Sequence, residues 1–278
     1  MSPIAIESRG PRMTATPTHR VCGVRVDALT ATDLTGAVAA AIARGERRIV
    51  ANHNLHSVYL FHHDAKMRRF YSMASHVHVD GMSLVFLARL AGVALRRSHR
   101  VTYVDWMEHL LPEADANRWR VFHLGSSPEV ARRGAEILRE RFPRLEIGMA
   151  DGYFDMTPGS RENELRIGAI NEFVPYVLLV GMGMPRQEHW VVDNVERVSA
   201  NAILTSGAAM DYLAGAVPVP PRITGRLGLE WLCRLCFEPR RLWRRYLVEP
   251  WALFAMIMAP ALFGNQAWPD AAPKTKGA

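Results

Sequence analysis

Several short stretches place acids, amides and small residues where an apolar run stops. In "HVHVDGMSLV", residues 76–85, the run ends at Asp80-Gly81. A carboxylate at the end of an apolar strand is suited to general-base work, with its proton affinity tuned by a partly buried setting; Asp-Gly is equally a common turn dipeptide. In "YVLLVGMGMPRQEHW", residues 176–190, the run gives way to Gly181 and Gly183, then Pro185, Gln187 and Glu188. Small residues before a helix start suit a phosphate, because backbone N–H groups can approach it and the helix N-terminus adds partial positive charge. The third glycine of a dinucleotide loop is absent and no Walker A lysine pattern occurs, so an ordinary tight turn fits as well. Gln187 and Glu188 fall in the first turn of the next helix and face the same crevice, although helix-dipole complementation by Glu188 explains its position equally.

Asp211, in "SGAAMDYLAG", lies on a helical stretch directed at the same end of the molecule. Asn52 and Asn54 follow the run "RIVAN" and either hydrogen-bond a ligand or cap the next helix. The histidines of "NHNLHSVYLFHHD" (His53, His56, His62, His63) lack a ligand spacing with an accompanying carboxylate, and read as surface or cap residues rather than a metal site. There is no acidic D-x-D pair to hold a divalent ion against a nucleotide diphosphate. If phosphates bind, arginines are the expected counter-charges, with no metal and no cofactor.

The elements that must position these groups alternate. Candidate strands are Arg48 to Asn52, His76 to Val79, Arg120 to Gly125, Leu145 to Ala150, Tyr176 to Gly181 and Asn201 to Ser206. Amphipathic helical stretches separate them, such as "SPEVARRGAEILRERF", which opens with Ser127, Pro128 and Glu129 in helix-start order. The βαβα order predicts an α/β fold, a mostly parallel sheet with helices on both faces. Ligands of such sheets sit outside the C-terminal strand ends, where the residues above fall.

The chain has 278 residues, 49% hydrophobic and 22% charged, enough for a substantial core. Its formal net charge is +7, and residues 222–245 hold seven arginines against two glutamates, so five of the seven excess charges lie there. That concentration points to an anionic partner at the C-terminal end. Three cysteines (Cys22, Cys233, Cys236) make neither a disulfide framework nor a zinc set. Residues 1–20 read as a disordered leader without a signal-peptide core, 21–221 as the core domain, 222–265 as a basic amphipathic appendage and 266–278 as a disordered tail. The low-charge stretch 250–268 is broken by Pro260 and Gly264, which favours an interfacial or core helix over a membrane span.

Four motifs in order, "VDGMSLV", "VGMGMPRQEHW", "SGAAMDYLAG" and "GLEWLCRLCFEPRRLWRRY", resemble the signatures of the WecG/TagA/CpsF glycosyltransferases, over residues 21–246. The resemblance implies a Rossmann-like core with a C-terminal membrane-docking appendage. It also implies an inverting, metal-independent transferase, peripheral on the inner, cytoplasmic face of the bacterial membrane. Such an enzyme moves a sugar, of N-acetylmannosamine type, glucuronic acid or a hexose, from a UDP donor to a polyprenyl-diphosphate-linked saccharide during exopolysaccharide or cell-envelope polymer synthesis. A non-catalytic nucleotide-sugar-binding protein is the alternative.

Carried over by residue, the resemblance makes Asp80 the base for the acceptor hydroxyl, with Asn52 and Arg100 beside it in the catalytic set. It assigns Asn54, Gly183, Gln187, Glu188, Asp211, Arg234, Arg241 and Arg244 to substrate. Three positions depart from the pattern: Asn52 stands where threonine is usual, Tyr103 where glycine is usual, and Val219 where arginine is usual. These bear on donor and acceptor identity. Trp231, Leu232, Leu235, Trp243, Tyr246, Leu247, Trp251 and Phe254 are expected at the headgroups of an anionic inner leaflet. The arginines alternate with bulky apolar groups and no nucleic-acid module is present, so no nucleic-acid partner is expected; a homo-oligomer is left open.

Overall fold

The computed structural model describes residues 17–218, residue 224 and residues 230–255. The described strands are β1 (Thr18–Val21), β2 (Val24–Asp27), β3 (Arg48–His53), β4 (His76–Val79), β5 (Arg120–Gly125), β6 (Glu146–Ala150), β7 (Val177–Gly181) and β8 (Ala202–Thr205). The last six form one sheet in the order β4-β3-β8-β7-β5-β6, with every pairing parallel. Around it run α1 (Ala31–Arg44), α2 (Leu55–His63), α3 (Ala65–Met73), α4 (Met82–Leu90), α5 (Tyr103–Ala116), α6 (Pro128–Arg141), α7 (Arg161–Phe173), α8 (Arg186–Asn194) and α9 (Ala209–Leu213). This is the mostly parallel sheet that the alternation of patterns predicts and the Rossmann-like core that the resemblance implies.

The strands' side chains divide between two apolar layers with period two. In β7, Val177 and Leu179 join Leu34, Trp106, Leu110 and Leu138 from α1, α5 and α6. Leu178 and Val180 join Phe70, Leu84 and Trp190 from α3, α4 and α8. In β8, Ala202 and Leu204 face the first layer and Ile203 the second. Full burial of each large side chain contributes about 1.5–3 kcal/mol, and it leaves the faces of these strands no room for solvated polar chemistry. The helices start where their sequences say: Ser127 accepts from the Val130 N–H ahead of Pro128, and Thr30 with Asp33 forms a capping box on α1.

Residues 18–20 belong to β1 rather than to a disordered leader. They pair antiparallel with β2 through a turn at Cys22 and Gly23, both at positive φ. With Val21, Val24 and Val26 its only buried apolar residues, the hairpin is too short to announce itself by periodicity. Its docking is polar. Asp27 accepts from the Val77 N–H, the Thr18 hydroxyl and Arg25 Nη2, each at 2.8 Å. Arg25 also donates to Ala74 O and Ser75 O at 3.2 and 2.6 Å. The edge strand β4 is thereby covered.

Burial pushes the Asp27 carboxyl up, but Arg25, the Val77 N–H and Thr18 together hold it below the usual carboxylate range. A depressed carboxyl contributes stability that is present above its unfolded pKa of about 4 and lost as pH falls through the folded value. We expect Asp27→Asn to lower stability at pH 7 by about 2 kcal/mol. The deficit should shrink in urea titrations taken below pH 4.

Candidate active site

Asp80 stands at the tip of β4, and its N–H donates to His53 O at 2.9 Å, tying it to the end of β3. Two amides from β3 and its exit point at the same carboxylate oxygen. Asn52 Nδ2 lies 3.4 Å and Asn54 Nδ2 3.5 Å from Asp80 Oδ2. Asn54 also caps α2, its Oδ1 accepting from the Ser57 N–H at 3.1 Å, as the capping reading of that residue expects. The Asn52 carbonyl Oδ1 is buried without a protein partner. Arg100 is brought to the same place by backbone: it bridges to Val79, and Val101 N–H donates to Val79 O at 2.7 Å. Its guanidinium lies 3.8 Å from Asp105. Tyr103 is buried against the β4 face, its ring centroid 5.7 Å from that of His78.

Toward the middle of the sheet the strand tips carry backbone rather than side chains. A Cβ on Gly125 would meet Gly181 O at 2.2 Å, and one on Gly181 would meet Gly207 O at 2.7 Å. Only glycine lets these three turns close on one another. Gly183 then turns the chain at φ 76° into α8. Ser126, beside Gly125, donates to Asp211 Oδ2 at 3.1 Å, which joins the β5 exit to α9. The result is a tightly packed cluster of small residues, Gly125, Ser126, Gly181 and Ser206 buried and Gly183 and Gly207 half-buried, flanked by one carboxylate.

Gln187 and Glu188 sit beneath this cluster, fully buried rather than at a solvated helix end. Gln187 Oε1 accepts from the Gly207 N–H at 3.2 Å, and its Nε2 donates to Glu188 Oε1 at 2.7 Å. The other Glu188 oxygen has no partner. Burial pushes the Glu188 carboxyl up to about 7, against the hydrogen bond from Gln187 and the charge of Arg245.

The appendage supplies the cations. It comprises α10 (Glu230–Phe237), α11 (Pro239–Trp243) and a π-helical turn, Arg244–Val248. Glu249 reaches back to His56 on α2 at 2.6 Å, and Leu253 is buried in the core layer of α3 and α4. Arg234 lies over the Tyr212 ring at 5.5 Å. Burial works against its charge, while Tyr212, Tyr246 and Asp80 favour it, and the balance raises its pKa. Arg245, which the sequence reading did not single out, is half-buried in the field of Asp80 and Glu249, with burial lowering its pKa. Arg244 is exposed. The side chain of Arg241 and all of Val219 lie outside the described residues. Spacing from Arg241 suits Arg244 and Arg245 alike, three and four residues on, and burial distinguishes them.

His53 corrects the expectation of surface or cap histidines. It is wholly buried, stacked on Tyr71 at 3.9 Å with Nδ1 2.9 Å from Ser57 Oγ, and burial lowers its pKa to about 3. It ends up inside because β3 runs one residue past Asn52. Trp231, Leu232, Trp243, Leu247, Trp251 and Phe254 of the appendage are exposed, joined by Phe237 and Val248, while Leu235 and Tyr246 are half-buried. No helix among the described residues is long and apolar enough to cross a membrane.

A family model described as the glycosyl transferase WecG/TagA/CpsF family matches residues 19–267. Among curated proteins, the chain is 28% identical over 173 residues to N-acetylglucosaminyldiphosphoundecaprenol N-acetyl-beta-D-mannosaminyltransferase of Staphylococcus aureus strain NCTC 8325 / PS 47, and equally to that of strain COL. Each match spans 62% of this chain and 65% of the relative, just under two thirds of its length.

A buried carboxyl with a raised pKa stays protonated in the folded chain while the unfolded chain ionises. Stability therefore falls as pH rises from about 4.5 to about 7, then levels. Glu188→Gln removes that titration and keeps an acceptor for Gln187. We expect the variant to flatten this limb of the stability profile in denaturant melts, gaining on the unsubstituted protein at pH 8 relative to pH 4.5.

Proposed function

The chain belongs to the WecG/TagA/CpsF family of glycosyltransferases, and from that premise we propose that it transfers a sugar from a UDP-sugar to a hydroxyl of a polyprenyl-diphosphate-linked saccharide. The observation that carries the reading is the Asp80 carboxylate at a strand tip, held by two amides and lying in the field of Arg234 and Arg245. The N-acetylmannosaminyl donor and N-acetylglucosaminyl-diphosphoundecaprenol acceptor in the relatives' name support the choice of substrates.

In this reading the acceptor hydroxyl gives its proton to Asp80 as its oxygen bonds to the anomeric carbon. The bond from that carbon to the UDP oxygen breaks, and UDP departs with the bonding pair. One displacement inverts the anomeric centre. Asn52 and Asn54 orient the Asp80 carboxylate toward the hydroxyl. Arg234 and Arg245 offset the charge growing on the diphosphate, with planar, permanently charged donors suited to paired phosphate oxygens. The glycine-lined cluster and the Ser126–Asp211 pair receive the nucleotide end, and Gln187 sets the shape of the Gly207 turn beneath it. The exposed tryptophans and leucines of the appendage face the headgroups of an anionic inner leaflet, so that membrane docking brings the arginines over the strand tips.

The test is transfer from a panel of UDP-sugars to a short polyprenyl-diphosphate-linked N-acetylglucosamine in detergent, with and without EDTA. Asp80→Asn is expected to lower kcat by about 10²–10⁴-fold with UDP binding retained, and EDTA to leave the rate unchanged. Equal rates for variant and parent would remove Asp80 from the mechanism. Arg245→Ala should lower kcat/KM by roughly 10²-fold, as should Arg234→Ala. A full rate for Arg245→Ala would remove that cation from the site.

A further inference from the structure

Between Asp80 and α5 the chain makes an excursion whose two ends meet at the tip of β4, closed by the Val79–Arg100 bridge and the Val101 N–H to Val79 O hydrogen bond. Its helix, α4, buries Leu84, Val85 and Ala88. It leaves Phe86 and Leu90, four residues apart and hence on one face, 51% and 85% exposed. Leu90 is the most exposed large apolar side chain among the described residues. From 81 to 104 the sequence contains Arg89, Arg96, Arg97 and Arg100 and no aspartate or glutamate. Arg89 Nε donates to Leu95 O at 2.8 Å and holds the turn after the helix; Arg96 and Arg97 are exposed on the 3₁₀ segment that follows. Asp105, the next residue along, lies 3.8 Å from Arg100. An aromatic and a leucine projecting from a segment with a net positive charge is the composition of an interfacial membrane contact.

We infer that the α4 excursion is a second membrane-docking element, seating Phe86 and Leu90 among the headgroups of an anionic bilayer while Arg96 and Arg97 meet its phosphates. The surface is defined by residues 81–104 alone; the choice of a bilayer as occupant rests on the proposed action on a lipid-linked acceptor. Charge decides against a second copy, because a two-fold contact would set these arginines against their own equivalents. The aliphatic Leu90 at the apex offers a nucleic-acid base nothing to stack on. Since the excursion leaves the strand from the Asp80 tip and the appendage lies over the same tip, the two elements would flank one crevice, and a lipid-linked saccharide would enter between them.

The test uses the full chain with Cys22, Cys233 and Cys236 replaced by serine, carrying Leu90→Cys labelled with an environment-sensitive fluorophore, and separately Leu165→Cys on α7 as an exposed control. Vesicles are pure phosphatidylcholine or contain phosphatidylglycerol. The proposal expects a blue shift at residue 90 with the anionic vesicles only, none at residue 165, and reversal by high salt. It also expects Arg96→Ser/Arg97→Ser to weaken partitioning roughly 30-fold, at about 1 kcal/mol for each arginine. A chain that sediments with anionic vesicles while the label at 90 stays in water would overturn it, as would a chain that does not bind them. A concentration-dependent shift without vesicles would assign the face to a second copy instead. Transfer to a short-chain, water-soluble acceptor, measured in parallel on Phe86→Ser/Leu90→Ser, tests the enzymatic reading separately. Loss of transfer there would show a folding or catalytic defect, and the label at residue 90 still decides the docking question.

Discussion

Apolar side chains cover both faces of the central strands, and that constraint organises the rest of the molecule. A sheet sandwiched between the layer of Trp106 and Leu138 and the layer of Phe70 and Trp190 can present polar chemistry only where its strands end. The parallel arrangement puts the C-terminal ends of all six strands at one rim. Asp80, Asn52, Asn54, Gly125, Gly181 and Ser206 come from five separate parts of the sequence and meet because of this geometry. Three of the sheet's four histidines show the other side of the constraint. His53, His78 and His123 are buried within the sheet, and desolvation lowers their pKa values to between about 3 and about 4. They serve as neutral packing residues.

At the rim the chemistry divides in two. The middle of the sheet offers glycine turns packed so closely that no side chain fits between them. The β3–β4 end offers a carboxylate and two amides. Permanent positive charge near the β3–β4 end of this rim comes from Arg100, held beside Val79, and from the appendage through Arg234 and Arg245. The appendage is fastened by the His56–Glu249 contact and by the burial of Leu242 and Leu253. A site assembled from a rigid sheet and a separately docked cationic segment can be completed or opened by whatever moves that segment, and its exposed tryptophans make a membrane surface the physical candidate.

Glu188 illustrates how close the polar network runs to the core. Its carboxyl is buried beneath the turn it helps to shape, with one oxygen engaged by Gln187 and the other without a partner. Tyr71 and Tyr103 lie in its field from α3 and α5, and Arg245 from the appendage. An unsatisfied buried oxygen costs about 1–3 kcal/mol, so this arrangement is sustained by the packing around it rather than by its own contacts.

Much of this was legible in the amino-acid sequence. The runs "HVHV" and "RVFHLG" are strands at their anticipated ends, Ser127 and Pro128 open a helix, and the motifs around Asp80, Gln187 and Asp211 fall at strand tips because local patterns of apolar alternation, turn residues and caps are written in contiguous residues. What depends on distant partners was not. The β1–β2 hairpin exists because Asp27 and Arg25 find the backbone of Ser75 and Val77 some fifty residues away. His53 is buried because β3 continues past Asn52, and Arg245 is half-buried in the field of Asp80 while Arg244 is exposed. Sequence alone determined the fold class, the position of the carboxylate and the excess of arginines; only tertiary structure decided which arginine, which histidine and which edge, because those choices are settled by packing and burial between segments that never adjoin along the chain.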